Sequence, residues 1–177
     1  MPNLGSELSP STVFKNMIAA KPWLFIIAYY VYSHQGSTVE ELRESTGLNT
    51  NTLKRGIWWL NKYNVIECRN EKYFIKPEYV KVIENLLYDH CNLKRMHLLK
   101  LDKVFIVLTV RNGRIDYWSL PVDYVEKLSF YEEITSSEFL DREIANILGV
   151  DIKTARKITR LRELQKACRS NHQTREE

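Results

Sequence analysis

The chain has 177 residues, a formal net charge of +4 and a hydrophobic fraction of 44%, which suit one domain or two small packed ones with an ordinary core. Its longest apolar run, WLFIIAYYVY, is too short to span a bilayer, and the early basic region of a signal peptide is missing. Composition therefore excludes a membrane-spanning protein, and the mild basic excess is compatible with a nucleic-acid partner without requiring one.

The three cysteines, Cys68, Cys91 and Cys168, are far apart, and none belongs to a C-x-x-C pair. An odd number at such spacing indicates free thiols in a reducing compartment and no disulfide framework. The four histidines are equally scattered, and the adjacent residues His90 and Cys91 would diverge on a helix. We therefore expect neither a metal site nor a cofactor.

The first part of the chain is predicted to be helical after a flexible tail. Residues 1–12 contain two prolines, a glycine and three serines, and this composition favours the tail. An apolar helix is expected over about 22–34. A short helix follows, which starts after a cap at Ser37 or Thr38 and stops at Gly47.

The stretch NTNT, residues 49–52, opens the next helix with four small polar side chains. Asn49 is expected to cap this helix, and Asn64 to end it in the left-handed conformation. The other polar side chains at the start indicate a partner rich in hydrogen-bonding groups. Three apolar residues at helical spacing form the buried stripe of the helix, namely Leu53, Ile57 and Leu60.

Two hairpins and two helices are predicted beyond this point. The segment VIECRNEKYFI, residues 65–75, alternates in polarity and breaks at Arg69-Asn70-Glu71, which predicts a short hairpin. An amphipathic helix follows from Pro77, and residues 92–102 bridge to a second unit. There Asn112-Gly113 between apolar runs predicts a two-residue hairpin turn, and a helix covers about 122–134.

The order of helix, short helix, glycine turn, helix and hairpin over about 22–76 resembles the winged helix-turn-helix of many small transcription regulators. The matching positions are Gly47-Leu48, the cap Asn49, the apolar stripe, Asn64 and Val65-Ile66. Asn64 stands where glycine is commoner, and asparagine tolerates that backbone. The resemblance implies the fold and double-stranded DNA as a partner, but it does not identify a target.

The resemblance implies that the helix at about 49–62 is a recognition helix, whose outer face meets DNA. The residues opposite the apolar stripe, at about 100° per residue, are Asn51, Lys54, Arg55, Trp58 and Lys62. Amide and guanidinium groups suit base edges, and lysines suit phosphates. The predicted contacts are Thr50, Asn51, Lys54, Arg55 and Lys62, with Arg69 and Lys72 from the hairpin. The simpler interpretation is a capped helix with a solvated polar face.

The segment DREIANILGVDIKTARKITRLREL also resembles a helix-turn-helix, within a second unit at about 122–168. Gly149 turns the chain, Asp151 is expected to cap the next helix, and Ala155 is the small residue where the two helices cross. The density of cations on that helix predicts phosphate contacts by Lys153, Thr154, Arg156, Lys157 and Arg160. The simpler explanation is that basic residues toward a helix C-terminus complement its dipole.

The hairpin at about 103–120 has apolar residues on both faces of the strand KVFIVLTV, and a two-stranded ribbon is not stable alone in water. It is either a strut that joins the two units or a dimerisation element. A homodimer is expected, because one helix-turn-helix offers few base contacts. The apolar surface available for pairing comprises Val107, Leu108, Val110, Ile115, Tyr117 and Trp118 of the ribbon, with Tyr79, Ile83 and Leu87.

The chain has six glycines, no glycine-rich phosphate loop and neither G-x-S-x-G nor H-E-x-x-H, so no enzymatic activity is predicted. We expect an α+β, mostly α-helical fold with domains at 13–92 and 93–170 and a polar tail at 171–177. The expected function is sequence-specific binding of double-stranded DNA in transcription regulation, in the cytoplasm at the nucleoid. The alternatives are a replication-initiator or partition protein of a small replicon, and an interaction adaptor that docks through Trp58 and Trp59.

Overall fold

A computed structural model describes residues 8–136 and 138–175. Within these ranges the chain forms eight helices and six strands, so the expected α+β, mostly α-helical class is confirmed. The elements are α1 (Pro10–Ala20), α2 (Leu24–Ser33), α3 (Val39–Thr46), α4 (Thr50–Lys62), β1 (Ile66–Arg69), β2 (Lys72–Ile75), α5 (Pro77–Leu87), β3 (Cys91–Leu93), β4 (Met96–Leu101), β5 (Val104–Arg111), β6 (Arg114–Pro121), α6 (Val122–Thr135), α7 (Asp141–Leu148) and α8 (Ile152–Arg175).

Helix α1 begins inside the segment predicted to be a flexible tail, so that prediction is wrong for residues 10–12. Residues 1–7 lie outside the described residues. The Ser9 hydroxyl accepts a hydrogen bond from the Thr12 amide at 3.2 Å, and Pro10 occupies the start of the helix, where its missing N–H costs nothing. The face of α1 that packs on α5 buries Phe14, Met17 and Ile18.

Helices α2, α3 and α4 form the next unit, with the predicted caps. The Thr38 hydroxyl accepts from the Glu41 amide at 3.2 Å to start α3, and Gly47, with φ of 74°, ends it. Helix α4 crosses α2 at Gly56, where an added Cβ would lie 2.0 Å from Cδ1 of the buried Ile27. This close crossing fixes the orientation of α4 on the unit.

Strands β1 and β2 form the predicted hairpin directly after α4. Asn64, with φ of 60°, ends the helix as expected, and Asn70 and Glu71 have positive φ in the turn. The backbone of Ser37 forms an isolated antiparallel bridge to Tyr73 on β2. The hairpin is therefore tied to the connection between α2 and α3, beside α4.

The central sheet has four antiparallel strands in the order β3-β4-β5-β6. The predicted two-residue turn at Asn112-Gly113 and the pairing of Val110 with Ile115 are confirmed. The interpretation of residues 92–102 as a bridging segment is wrong, because most of it forms β3 and β4. No alternation of polarity marks β4, since a strand buried on both faces is apolar at consecutive positions.

The two faces of the sheet belong to two hydrophobic cores. Leu108 on β5 packs in the core of the N-terminal helices, whereas its neighbour Val107 packs in a second core with α6, α7 and α8. The ribbon therefore lies between the two units, and the predicted domain boundary at 92–93 falls inside β3. The proposed dimerisation surface is wrong for five residues that are already buried within one chain, namely Val107, Leu108, Val110, Tyr79 and Ile83.

A disulfide joins Cys91 on β3 to Cys168 on α8, with the two Cα atoms 5.9 Å apart. The expectation that the thiols are free is therefore wrong for this pair, and with it the argument from free thiols for a reducing compartment. The partners are 77 residues apart and meet only because α8 packs on the sheet, which spacing along the chain cannot indicate. Cys68 is a free, exposed thiol.

His97, which is buried, and His90, which is half-buried, form a pair between α2 and the sheet. Nδ1 of His97, a fully buried residue, lies 2.9 Å from Nε2 of His90, and the rings of Phe25, Tyr29 and Tyr30 surround the pair. Burial lowers the pKa of His90 to about 4, and burial together with the neighbouring His90 lowers the pKa of His97 to about 3. Both rings are therefore neutral near pH 7.

Candidate nucleic-acid interface

The outer face of α4 consists of Asn51, Lys54, Arg55, Trp58 and Lys62, all of which are exposed. On the opposite side Leu53, Ile57 and Leu60 are buried, as the spacing predicts. The helix is thus amphipathic in the expected orientation, with its apolar stripe in the core and its amide and cationic groups toward solvent.

Asn49 caps the start of α4. Its side-chain oxygen accepts from the Thr52 amide at 2.8 Å, so the predicted cap is confirmed. Thr50 is half-buried beside a groove shared with Arg95, while Asn51 is exposed. Of the two predicted DNA contacts at the start of the helix, Thr50 and Asn51, Asn51 is therefore the more accessible.

Aromatic rings hold two of the cations on the outer face of α4. The guanidinium of Arg55 lies 5.3 Å from the ring centroid of Trp23, and the Lys62 ammonium lies 4.8 Å from that of Trp58. No ion pair involves Lys54, Arg55 or Lys62 within the described ranges. The rings therefore position Arg55 and Lys62, and within the described ranges no carboxylate neutralises any of the three cations.

On the β1–β2 hairpin, one of the two cations predicted to contact DNA is paired with a carboxylate. Arg69 lies 3.5 Å from Glu67 and its guanidinium is 4.2 Å from the ring centroid of Phe74, so its charge is partly compensated on the hairpin itself. Lys72 is exposed on the opposite strand, directly across from Arg69. Of the two predicted hairpin contacts, both of which are exposed, Lys72 is the one without an ion pair among the described residues.

The β5–β6 turn, which the sequence reasoning did not assign to the interface, lies against the start of α4. The Asn49 amide donates to the carbonyl of Gly113 at 2.9 Å, and a Cβ on Gly113 would lie 3.1 Å from that of Asn49. Arg114 and Arg55 line one cleft of about 560 Å³, the arginine cleft. The run Arg-Asn-Gly-Arg is a visible local signal, but its position beside α4 depends on the tertiary fold.

The start of α8 has the predicted cap. Asp151 accepts from the Thr154 amide at 2.9 Å, and hydrogen bonds from the Thr154 side chain and amide lower the pKa of the Asp151 carboxyl. Thr154 is half-buried and engaged in this cap, which leaves it little freedom to contact a phosphate. The other predicted contacts are exposed and free of ion pairs within the described ranges, and these are Lys153, Arg156, Lys157 and Arg160.

The basic run continues along α8, and two of its later members pair with carboxylates of the same chain. Arg162 donates to both carboxylate oxygens of Glu132 on α6 through its two terminal guanidinium nitrogens, and Lys166 lies 3.4 Å from Glu138. Thr159 donates to Asp141 at 2.6 Å and links α8 to α7. The cations of α8 are therefore of two kinds: those near its start are exposed, whereas Arg162 pairs with α6 and Lys166 with the segment after α6.

Within the described residues, no three His, Cys, Asp or Glu side chains are grouped so that they could hold a metal ion, and no helix there has the length and apolarity to cross a membrane. No protein-family model, curated protein or solved structure matches the chain.

Proposed function

We propose that the chain binds double-stranded DNA through the outer face of α4. The observation that carries the proposal is the exposed and uncompensated set of Asn51, Lys54 and Arg55 at the start of a helix whose opposite side is buried. A helix presented in this way fits the major groove, where amides and guanidinium groups bond to base edges. The order α2-α3-α4-β1-β2 supports the proposal, because it resembles that of a winged helix-turn-helix.

Regulation of transcription is the proposed role. The basic half of α8 offers a second cationic surface on the same chain, and two such surfaces suit a site longer than one helix can contact. The proposal includes a homodimer, which would lengthen the site further. Sedimentation at micromolar concentration tests it, and a 21.0 kDa species would contradict it.

The first test is selection of bound duplexes from a random DNA pool, followed by substitution of Asn51 and Arg55 by alanine. We expect each variant to lose about 1–3 kcal/mol of discrimination in favour of the selected site, with an unchanged thermal midpoint. Lys54→Ala is expected to weaken binding to all sequences alike, because a phosphate contact carries no sequence information.

Lys81→Ala is a matched control, since Lys81 is an exposed lysine on α5, outside the outer face of α4. Its affinity for the selected duplex should equal that of the unaltered protein. The proposal fails if Asn51→Ala and Arg55→Ala bind as tightly as Lys81→Ala, or if no duplex is enriched.

A protein-interaction adaptor is the second candidate, and the exposure of Trp58, 54% in the free chain, favours it. The dependence of binding affinity on salt concentration distinguishes the two functions. Binding to DNA through Lys54, Arg55 and the α8 cations should weaken steeply as ionic strength rises, because each phosphate contact releases counterions. An apolar interface around Trp58 should depend little on salt.

A replication-initiator or partition role would share the DNA contacts and differ in the position of the selected sites.

A further inference from the structure

The β5–β6 turn is fixed against Asn49, the residue that caps α4. The Gly113 carbonyl accepts from the Asn49 amide at 2.9 Å, and close contact between the two residues leaves little room for a side chain at position 113. On the neighbouring turn, Nη1 of Arg95 donates to the Thr46 carbonyl at 3.1 Å. This end of the sheet therefore holds the turn at a set position beside the outer face of α4.

The turn brings like charges together. Arg111 and Arg114 are directly opposite each other across the last pair of the ladder, both exposed. Like charges in this arrangement destabilise a hairpin. Arg114 also shares the arginine cleft with Arg55, and the other residues that line it are uncharged, namely Trp23, Asn49, Asn51, Thr52 and Ile115.

Within the described ranges no ion pair compensates Arg111 or Arg114. A guanidinium presents a planar set of donors that matches phosphate oxygens. Two uncompensated guanidinium groups opposite each other, with a third in the adjoining cleft, are complementary to a row of phosphates. A DNA strand along the edge of a groove provides such a row at regular spacing.

We propose that the β5–β6 turn is a second DNA-contacting element, in which Arg111 and Arg114 bind phosphates beside the groove that α4 enters. The inference rests on the proposed function of α4 and extends it. The turn contacts the strand next to the start of the helix, and the hydrogen bond between Asn49 and Gly113 fixes the register of the two elements. The interface of the N-terminal unit thus includes a part of the central sheet.

The test measures binding of the full chain to a labelled duplex of random sequence, about three helical turns long, between about 50 and about 200 mM salt. For Arg111→Ala/Arg114→Ala we expect the slope of log affinity against log salt to become shallower by about 1.8, or about 0.9 for each lost phosphate contact. Arg111→Lys/Arg114→Lys should retain most of the slope, because the charges remain.

The matched control is Lys81→Ala/Lys103→Ala, which removes the same charge. Lys103 precedes β5 at the end opposite the turn, about 27 Å away at 3.4 Å per residue. The inference is overturned if the turn variant has the same slope as this control while Lys54→Ala makes the slope shallower. Failure of the unaltered protein to bind any duplex would overturn the function of α4 as well. Circular dichroism of each variant checks that the fold is retained.

Discussion

His97 on β4 is fully buried against α2, with its Nδ1 2.9 Å from Nε2 of His90. Their pKa values in the folded protein, about 3 and about 4, lie below the ordinary value of 6.5. The unfolded chain therefore binds more protons below pH 6.5, and the stability that neutral histidines provide is lost as the pH falls toward 4. Each histidine adds up to about 1.4 kcal/mol per pH unit to this loss.

We expect His97→Gln to flatten the dependence of unfolding free energy on pH between about 6.5 and 4, because one of the two buried titrating groups is removed. Denaturant unfolding at several pH values measures it. His34→Gln is the control, since His34 is exposed at the end of α2. If the unfolding free energy depends on pH equally steeply in His97→Gln and in the unaltered protein, burial does not lower the pKa of His97 as expected.

Residues whose role depends on near neighbours were predictable from the sequence. Asn49 caps α4 through Thr52, and Asn64 and Gly113 adopt positive φ, because each follows from the chemistry of a turn or helix end. The pairing of His90 with His97 and the disulfide of Cys91 were not predictable. Their partners come close only after β3, β4 and α8 have packed together.

Among the helices, α8 carries cations that are exposed to solvent and cations that pair with carboxylates of the same chain. Arg156 and Arg160 are exposed, whereas Arg162 pairs with Glu132. We expect Arg156→Ala/Arg160→Ala to shorten the footprint on a selected duplex and to flatten the salt slope by about 1.8, with an unchanged thermal midpoint. Footprinting and salt titration of the full chain measure these effects.

The control for this prediction is Lys81→Ala/Lys127→Ala, which removes two exposed lysines from α5 and α6. A footprint and slope equal to those of the control would show that the exposed half of α8 is only a solvated face. The sequence already predicts Arg156 and Arg160 as contacts, and the structure adds that Arg162, further along α8, is paired with Glu132.

Elements with a clear period were predictable, and elements without one were not. The apolar stripe of α4 follows the helical repeat and fixes which face is exposed. By contrast, β4 is buried at Leu98 and Leu99 in succession, which matches neither the period of a half-buried strand nor that of a helix. Helix α1 was missed because Ser9 and Pro10, its start signals, also favour a loop.

For the whole molecule, the disulfide between Cys91 and Cys168 ties the last helix to the edge of the sheet. Cross-linking residues 77 apart reduces the entropy of the unfolded chain and stabilises the fold by about 4.5 kcal/mol in the chain-entropy estimate. We expect a reductant to lower the thermal midpoint of the unaltered protein. Cys91→Ala/Cys168→Ala should be insensitive to it, and equal midpoints with and without reductant in the unaltered protein would contradict the prediction.

Because both faces of the central sheet are buried, the contributions of the two units to binding cannot be tested by deleting either one. Deleting α7 and α8 would uncover Val107, Leu98 and Leu120, which are buried in the second core. Deleting the N-terminal helices would uncover Leu99 and Leu108 on the other side. Each fragment would carry an apolar sheet face into water and tend to aggregate. Deletion mapping would therefore confuse loss of solubility with loss of a binding residue, and surface substitutions in the full-length chain are the appropriate way to divide the two units.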